Sequence, residues 1–295
     1  MTDWSELGGL TALAPHTGPF PHPDFLRTWW SHRGRGELLQ VRVGAGALAI
    51  VVDGEVATLA GEADLTDYHS PLGGDLGEVA TAVVAVVSPG CRLVFDSLPI
   101  EAAEEMLKHF STAGVALTMS EHANTMVLNL PEDPAAYLET LEAKQRHELR
   151  RKRRRFQEQV GIPALRRDQG AIGDFVAMHR GAPGDKGEFM TAEMEAFFGS
   201  LVDDAGAVID VLVDGAGRSI GAAFGFEDDD TYYLYNSAFD PECAALSPGI
   251  VLVTSLIDSV ITSGRKRVDF LKGGEDYKSR LGARARPLYV LEGVT

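Results

Sequence analysis

Between Lys144 and Arg155 the sequence reads KQRHELRRKRRR, eight cations and one acid in twelve residues. The run carries +7 in a chain whose net charge is −16; the other 19 cations and 42 acids leave −23 elsewhere. Like charges at that density repel unless an anion relieves them, so phosphate binding is the first chemistry these residues suggest. A solvated helix face, with Glu148 pairing to Lys152 at i, i+4, is the plain alternative. Nonspecific nucleic-acid targeting is a third, and the acidity of the whole chain opposes it. On a helix Lys144, Arg151 and Arg155 share a face away from an apolar stripe of Leu138, Leu141, Leu149, Phe156 and Val160. A second cluster, residues 265–286, holds eight cations against three acids. If the two clusters converge, that face is an anion site.

Other residues have types suited to acid–base work. Asp269 precedes Gly273 and Gly274, where it could accept a proton or cap the turn's N–H groups. Lys278 follows Tyr277 and is placed to pair with Glu275. Tyr233 and Tyr235 share one face of a strand, either packing in the core or lining a cleft. His179 has a side chain whose ordinary pKa suits a base at neutral pH, and it equally suits a structural helix end. Lys186 sits between Gly184 and Gly187, a loop-like setting. Neither GxSxG nor HExxH occurs, and Cys91 and Cys243 are too few and too far apart for a metal motif or a disulfide framework. No metal is expected, and a reducing cytoplasm suits the chain. The opening MTDWSE lacks a signal-peptide pattern, and the apolar stretch 79–87 is too short to span a bilayer, so no membrane insertion is expected.

These residues need elements to hold them. Alternating apolar runs predict strands within 38–57, with turns at Gly44–Gly46 and Asp53–Gly54. A helix over 75–87, a strand over 91–96, a helix over 100–113 and a strand over 115–119 complete an α/β unit. A further strand-like run, 125–130, leads to Pro131. The segment 134–160 reads as one helix, closed by Gly161 and Pro163. Then come a strand near 162–167, helices near 171–180 and 191–204, and strands over 208–213, 219–226 and 231–239. A helix from Pro248 to about 263 and short strands at 268–271 and 288–291 end the chain. No repetition between the halves is visible in the residues themselves.

The ordered set of motifs resembles the BioF2-like/CelD-like acetyltransferases, relatives of the FemAB peptidyl transferases within the GNAT superfamily. It comprises Tyr137, Lys144, Arg146, Arg150 to Arg153, Phe156 and Gly161; His179, Lys186, Gly187 and Phe189; Tyr232 to Asn236; Leu246 to Gly249 opening a helix; and Asp269, Phe270, Gly273, Tyr277 and Lys278. Residues 137–290 carry most of it, with a fainter echo in Phe25, Trp29, Trp30, Asp67 and Tyr68. The resemblance implies an α/β fold of two tandem GNAT-like domains with mixed sheets, divided at 1–130 and 131–295. It also implies transfer of an acyl group to an amine or hydroxyl.

What the resemblance implies for the site follows from acyl-transfer chemistry, which needs a deprotonated nucleophile, an oxyanion held by hydrogen-bond donors and a protonated leaving group. Asp269, Lys278 and Tyr235 are the candidate catalytic residues. Ser247, Gly249 and Ile250, at a helix N-terminus, are the candidate cofactor-phosphate site. Lys144, Arg151, Arg155, His179, Lys186, Asn236 and Tyr277 are candidates for substrate or phosphate binding. The GNAT pyrophosphate loop is usually (Arg/Gln)-x-x-Gly-x-(Gly/Ala). With Gly249 in its last place, Ala244 and Ser247 stand where the polar side chain and the first glycine are usual, and Pro248 removes one donor. Acyl-CoA is the expected donor, with a small molecule or sugar as acceptor. Aminoacyl-tRNA is the alternative donor, and a non-catalytic phosphate-ligand binding protein the third reading.

Overall fold

The computed structural model describes residues 4–295, Glu6 by its backbone alone; Met1 to Asp3, part of the opening read above for a leader pattern, lie outside the described residues. Two compact units divide the chain, residues 1–125 with 286–295, and residues 126–285. Both are mixed α/β.

In the first unit, helix α1 (Pro23–Arg33) precedes strands β1 (Glu37–Val43), β2 (Gly46–Asp53) and β3 (Val56–Leu59). Two tight turns join them into an antiparallel meander. After the two-residue β4 (Leu72–Gly73) come α2 (Leu76–Val86), β5 (Arg92–Leu98), α3 (Ile100–Thr112) and β6 (Leu117–Asn129). Strand β5 runs parallel to β3. Helices α2 and α3 bury Val79, Val83, Met106 and Phe110 against Ile50, Leu93 and Phe95. The run 115–130, expected as two strands, is the one strand β6. Its middle, 118–122, is exposed throughout, polar but for Met119, and shows no alternation. Backbone pairing makes the strand there, and side-chain periodicity does not register it.

The second unit opens with α4 (Pro134–Thr140) and α5 (Ala143–Val160). The single helix expected over 134–160 is therefore broken. Leu141 and Glu142 are extended, with ψ 152° and 145°. Arg146 explains the break: its guanidinium donates to the carbonyls of Leu138 (3.2 Å), Glu139 (3.5 Å) and Leu141 (3.4 Å). It thereby satisfies orphan acceptors at the end of α4. Asp133 caps the other end through the Ala136 N–H at 2.8 Å.

Next come β7 (Ala164–Arg167), α6 (Ile172–Arg180), the short α7 (Asp185–Phe189) and α8 (Ala192–Asp204). Strands β8 (Val208–Val213), β9 (Ser219–Glu227) and β10 (Thr231–Phe239) follow, antiparallel in that order. Helix α9 (Pro248–Thr262), strand β11 (Arg267–Lys272), the short α10 (Asp276–Arg280) and β12 (Arg284–Val294) end the chain. Helix α9 buries Val251, Leu252, Leu256, Ile257 and Val260 beside Tyr232, Leu234, Phe156 and Tyr137. On the opposite face of β9–β10, α6 and α8 pack Phe175, tilted, and Phe198, edge-on, against Phe224 at 5.4 and 4.8 Å. Neither α7 nor α10, each five residues, was expected as helix.

The two units share a pattern that the residues hide. Each has an antiparallel three-strand meander, a helix, and then a strand parallel to the meander's last. The parallel pairing spans three residues in each: Val56–Thr58 on Arg92–Val94, and Thr231–Tyr233 on Arg267–Asp269. Beyond it each later strand carries a non-glycine residue at positive φ, Ser97 (58°) and Leu271 (57°).

Candidate functional site

In the second unit β10 continues to Phe239 and β11 to Lys272, yet their pairing stops at Tyr233 and Asp269. The two strands part from there. A register shift in β10 between Leu234 and Asn236 sets Tyr235 at a bulge. Bulges re-aim side chains and free backbone groups. On β11, Asp269 is 1% exposed and its Oδ1 accepts the Leu271 N–H at 2.8 Å, holding the left-handed turn. Of the two roles open to Asp269, this geometry displays the turn-holding one.

Helix α9 starts where β10 ends. The Cβ that Gly249 lacks would lie 3.3 Å from the Phe239 ring, so the helix N-terminus is packed on the end of β10. Ser247 is left-handed (φ 57°), and its carbonyl accepts the N–H groups of Ile250 and Val251 at 3.1 and 3.2 Å. Its own N–H goes to Ala244 O at 3.1 Å. Pro248 has no N–H, so the Gly249 amide is the N–H of this first turn without a partner among the described residues.

Lys278 is 3% exposed, and its ammonium is committed locally. It donates to the carbonyls of Lys272 (2.9 Å) and Gly273 (3.0 Å) and pairs with Glu275 at 2.9 Å. Three donors for three acceptors make it the pin of the 272–275 turn. Gly273 has φ 107°, and a Cβ there would fall 2.5 Å from Glu275 Oε2. Tyr277 stacks edge-on to Phe270 at 6.2 Å, and burial, then Glu275, pushes its phenol up to about 12. It stays protonated at neutral pH. Tyr233 is fully buried and gives its O–H to Asp228 at 2.7 Å. Tyr235 is half-buried in a wall of Phe198, Phe224 and Phe226, at 5.6, 6.2 and 5.6 Å.

His179, at the end of α6, is 2% exposed beside Phe175 and Phe189. Burial lowers its pKa, and the Lys186 ammonium lowers it further, while the Asn236 side chain opposes both. The imidazole is therefore neutral at pH 7. Lys186 lies 6.0 Å over the Phe239 ring; burial of its ammonium lowers its pKa, and Glu275 opposes. The residue as a whole is exposed, so this desolvation is partial. His179, Lys186, Asn236, Glu275 and Lys278 thus form one charge-coupled set around the parted strands. Sequence reasoning named Glu275 only as a partner for Lys278, and it did not single out Phe239, which lies under Lys186. Nothing short of the turn geometry and the strand end marks them.

The basic run divides differently. Arg151 makes a two-pronged pair with Glu148, both bonds 2.8 Å, and Lys152 reaches the same acid at 3.8 Å. Arg153 pairs with Asp258 at 2.7 Å, Arg146 and Arg150 with Glu139, and Arg154 with Glu158. Lys144 and Arg155 are exposed and have no partner among the described residues. In the 265–286 cluster, Arg265, Arg267, Lys278 and Arg280 are likewise paired within the unit, to Glu227, Asp230, Glu275 and Asp276. Among the described residues no group of three or more His, Cys, Asp or Glu could hold a metal ion, and no helix is long and apolar enough to cross a membrane.

Residues 143–279 match the family model of the acetyltransferase (GNAT) domain. The chain is an acyltransferase. The matched segment runs from the start of α5 into α10 and so contains the parted strands, α9 and the charge-coupled set. Solved structures agree on the fold. A conserved protein of unknown function from Bacteroides thetaiotaomicron is 12% identical, with a TM-score of 0.69 over 100% of this chain and 98% of its own. FemX is 10% identical, with a TM-score of 0.62 over 97% and 94%. L-PGS from Bacillus licheniformis is 11% identical, with a TM-score of 0.59 over 93% and 92%. No curated protein matches in sequence. At these identities the likeness concerns the fold, and the residues of the site must be argued from their own geometry.

Proposed function

We propose that this acyltransferase moves an acyl group from acyl-CoA to an amine or hydroxyl of a small-molecule or sugar acceptor, at the opening between β10 and β11. The observation that carries this reading is the parting of the two parallel strands after Asp269, directly before the N-terminus of a fifteen-residue helix. An extended pantetheine arm could hydrogen-bond, as a strand would, to the edge of β10 that β11 has left. The Gly249 N–H and the dipole of α9 suit its pyrophosphate.

The first unit repeats the pattern, and we read the chain as two tandem GNAT-like domains of the BioF2-like/CelD-like kind. Only the second has an opening of this sort on this reading. In the first, beyond Val94, the His69 N–H bonds to Ser97 O and its Nδ1 to Asp96 O, both at 2.9 Å. His69 thus occupies the edge of β5 that β3 has left.

Calorimetric titration with acetyl-CoA tests the donor. Saturable binding is expected; no binding alongside tight binding of charged tRNA would reverse the assignment. The tRNA reading draws on the exposed α5 cations, which also yield a sharper expectation. Alanine at both Lys144 and Arg155 should weaken phosphate-bearing ligand binding about tenfold, and the difference should shrink in high salt. Equal affinities at low salt would make α5 a solvated face.

A further inference from the structure

Lys186 is a cation at the site whose ammonium has no hydrogen bond or ion pair among the described residues. Its position is fixed by the segment that carries it. Arg180 closes that segment, its Nε donating to Met190 O at 2.9 Å and its Nη2 pairing with Glu195 at 2.7 Å. Within α7, Gly187 packs so closely that a Cβ would fall 2.3 Å from Ala182 O. At the head of the same segment stands His179, 2% exposed, its Nδ1 buried and without a partner. A buried acceptor or donor left unsatisfied costs stability, and so does a partly desolvated ammonium. Here both costs fall on neighbouring groups at the mouth of the parted strands. A ligand that offers a hydrogen-bonding nitrogen and an anionic group relieves both together.

We propose that the acceptor is an amine that carries a carboxylate, with the carboxylate on Lys186 and the amine against His179 Nδ1. The proposal rests on the acyl-transfer reading and names the substrate class for that site. One negative charge suits the surroundings better than a phosphate dianion, because the Glu275 carboxylate already acts on Lys186. The same field that keeps His179 neutral also disfavours a protonated amine beside it, so the nucleophile is delivered with its lone pair free. The amine nitrogen attacks the thioester carbonyl carbon. A C–N bond forms and the C–S bond breaks. The proton leaves nitrogen for His179 Nδ1 and passes to the departing thiolate, giving an amide and free CoA.

Two arms test this, and the first needs no donor. Acetate is added to the full-length protein while the His179 Cε1–H resonance is followed. A saturable shift is expected in the wild type, none with acetamide, and none with acetate in Lys186→Met. In that variant the His179 titration midpoint should also rise toward its ordinary value of about 6.5. Absence of a saturable acetate shift, or its persistence in Lys186→Met, overturns the proposal. The second arm compares amino acids with their amides as acceptors for acetyl-CoA. The amides should show a KM at least tenfold higher in the wild type, and Lys186→Met should erase the difference. Equal KM values for acid and amide in the wild type would overturn the substrate class. A normal acetate response without any transfer from acetyl-CoA would count against the donor assignment alone.

Discussion

Replacing Phe198 with alanine should destabilise the second unit by about 3–5 kcal/mol. The side chain is 1% exposed and meets five aromatic rings, those of Phe175, Phe189, Phe197, Phe224 and Tyr235, at 4.8 to 6.3 Å. Truncation removes the transfer energy of the ring and leaves a cavity that helix and sheet, both held by their own hydrogen bonds, cannot collapse to fill. A domain's whole stability is about 5–15 kcal/mol, so the loss is large. The effect should reach function as well, because Phe198 backs Tyr235 at the bulge. Urea unfolding followed by a probe in the second unit measures it, with Phe198→Leu as a milder control. A change below about 1 kcal/mol would mean that the wall tolerates a void, contrary to a close-packed interior.

Asp269→Ala should cost roughly 2–4 kcal/mol and most of the acyl-transfer activity. Leu271 is held at φ 57°, a conformation expensive for a side chain with a Cβ, and is itself buried. The Asp269 carboxylate satisfies the Leu271 N–H; without it a buried donor is orphaned and the turn loses its tie. The turn leads directly into Gly273 and the carbonyls that hold Lys278, so the error propagates to Glu275 and Lys186. Asp269→Asn keeps an oxygen in the same place and should recover most of the stability. If it also recovers the rate, Asp269 is a positioning residue; if stability returns and the rate does not, its charge takes part in proton transfer. Wild-type stability in the alanine variant would contradict the account of the turn.

The elements were legible in proportion to how far local pattern determines them. Helix α9, with Pro248 at its first turn and an apolar stripe, and the strands 208–213, 219–226 and 231–239 stand where alternation and turn residues put them. The break at Leu141–Glu142 was not legible, because the apolar spacing runs through it without a Gly or Pro. Its cause is one arginine reaching back to three carbonyls. Strand β6 was missed in its centre because backbone pairing, which no side-chain pattern reports, forms it. The charge of the basic run was plain, and so was the Glu148–Lys152 pair at i, i+4, but the pairing to Glu139 and Asp258 was not, since those two acids lie outside the helix. The same holds for the site. Asp269, Lys278 and Tyr235 were singled out by motif, whereas the burial of the Lys278 ammonium and the nearness of Lys186 to His179 arise from tertiary packing.

The most direct measurement is an amide chemical-shift map of the protein titrated with acetyl-CoA. The account predicts saturable shifts in 235–239, 247–251 and 270–273, and none of comparable size along the β3–β5 edge of the first unit that His69 occupies. Saturable shifts confined to residues 56–98, or none in the second unit while transfer from acetyl-CoA proceeds, would contradict it.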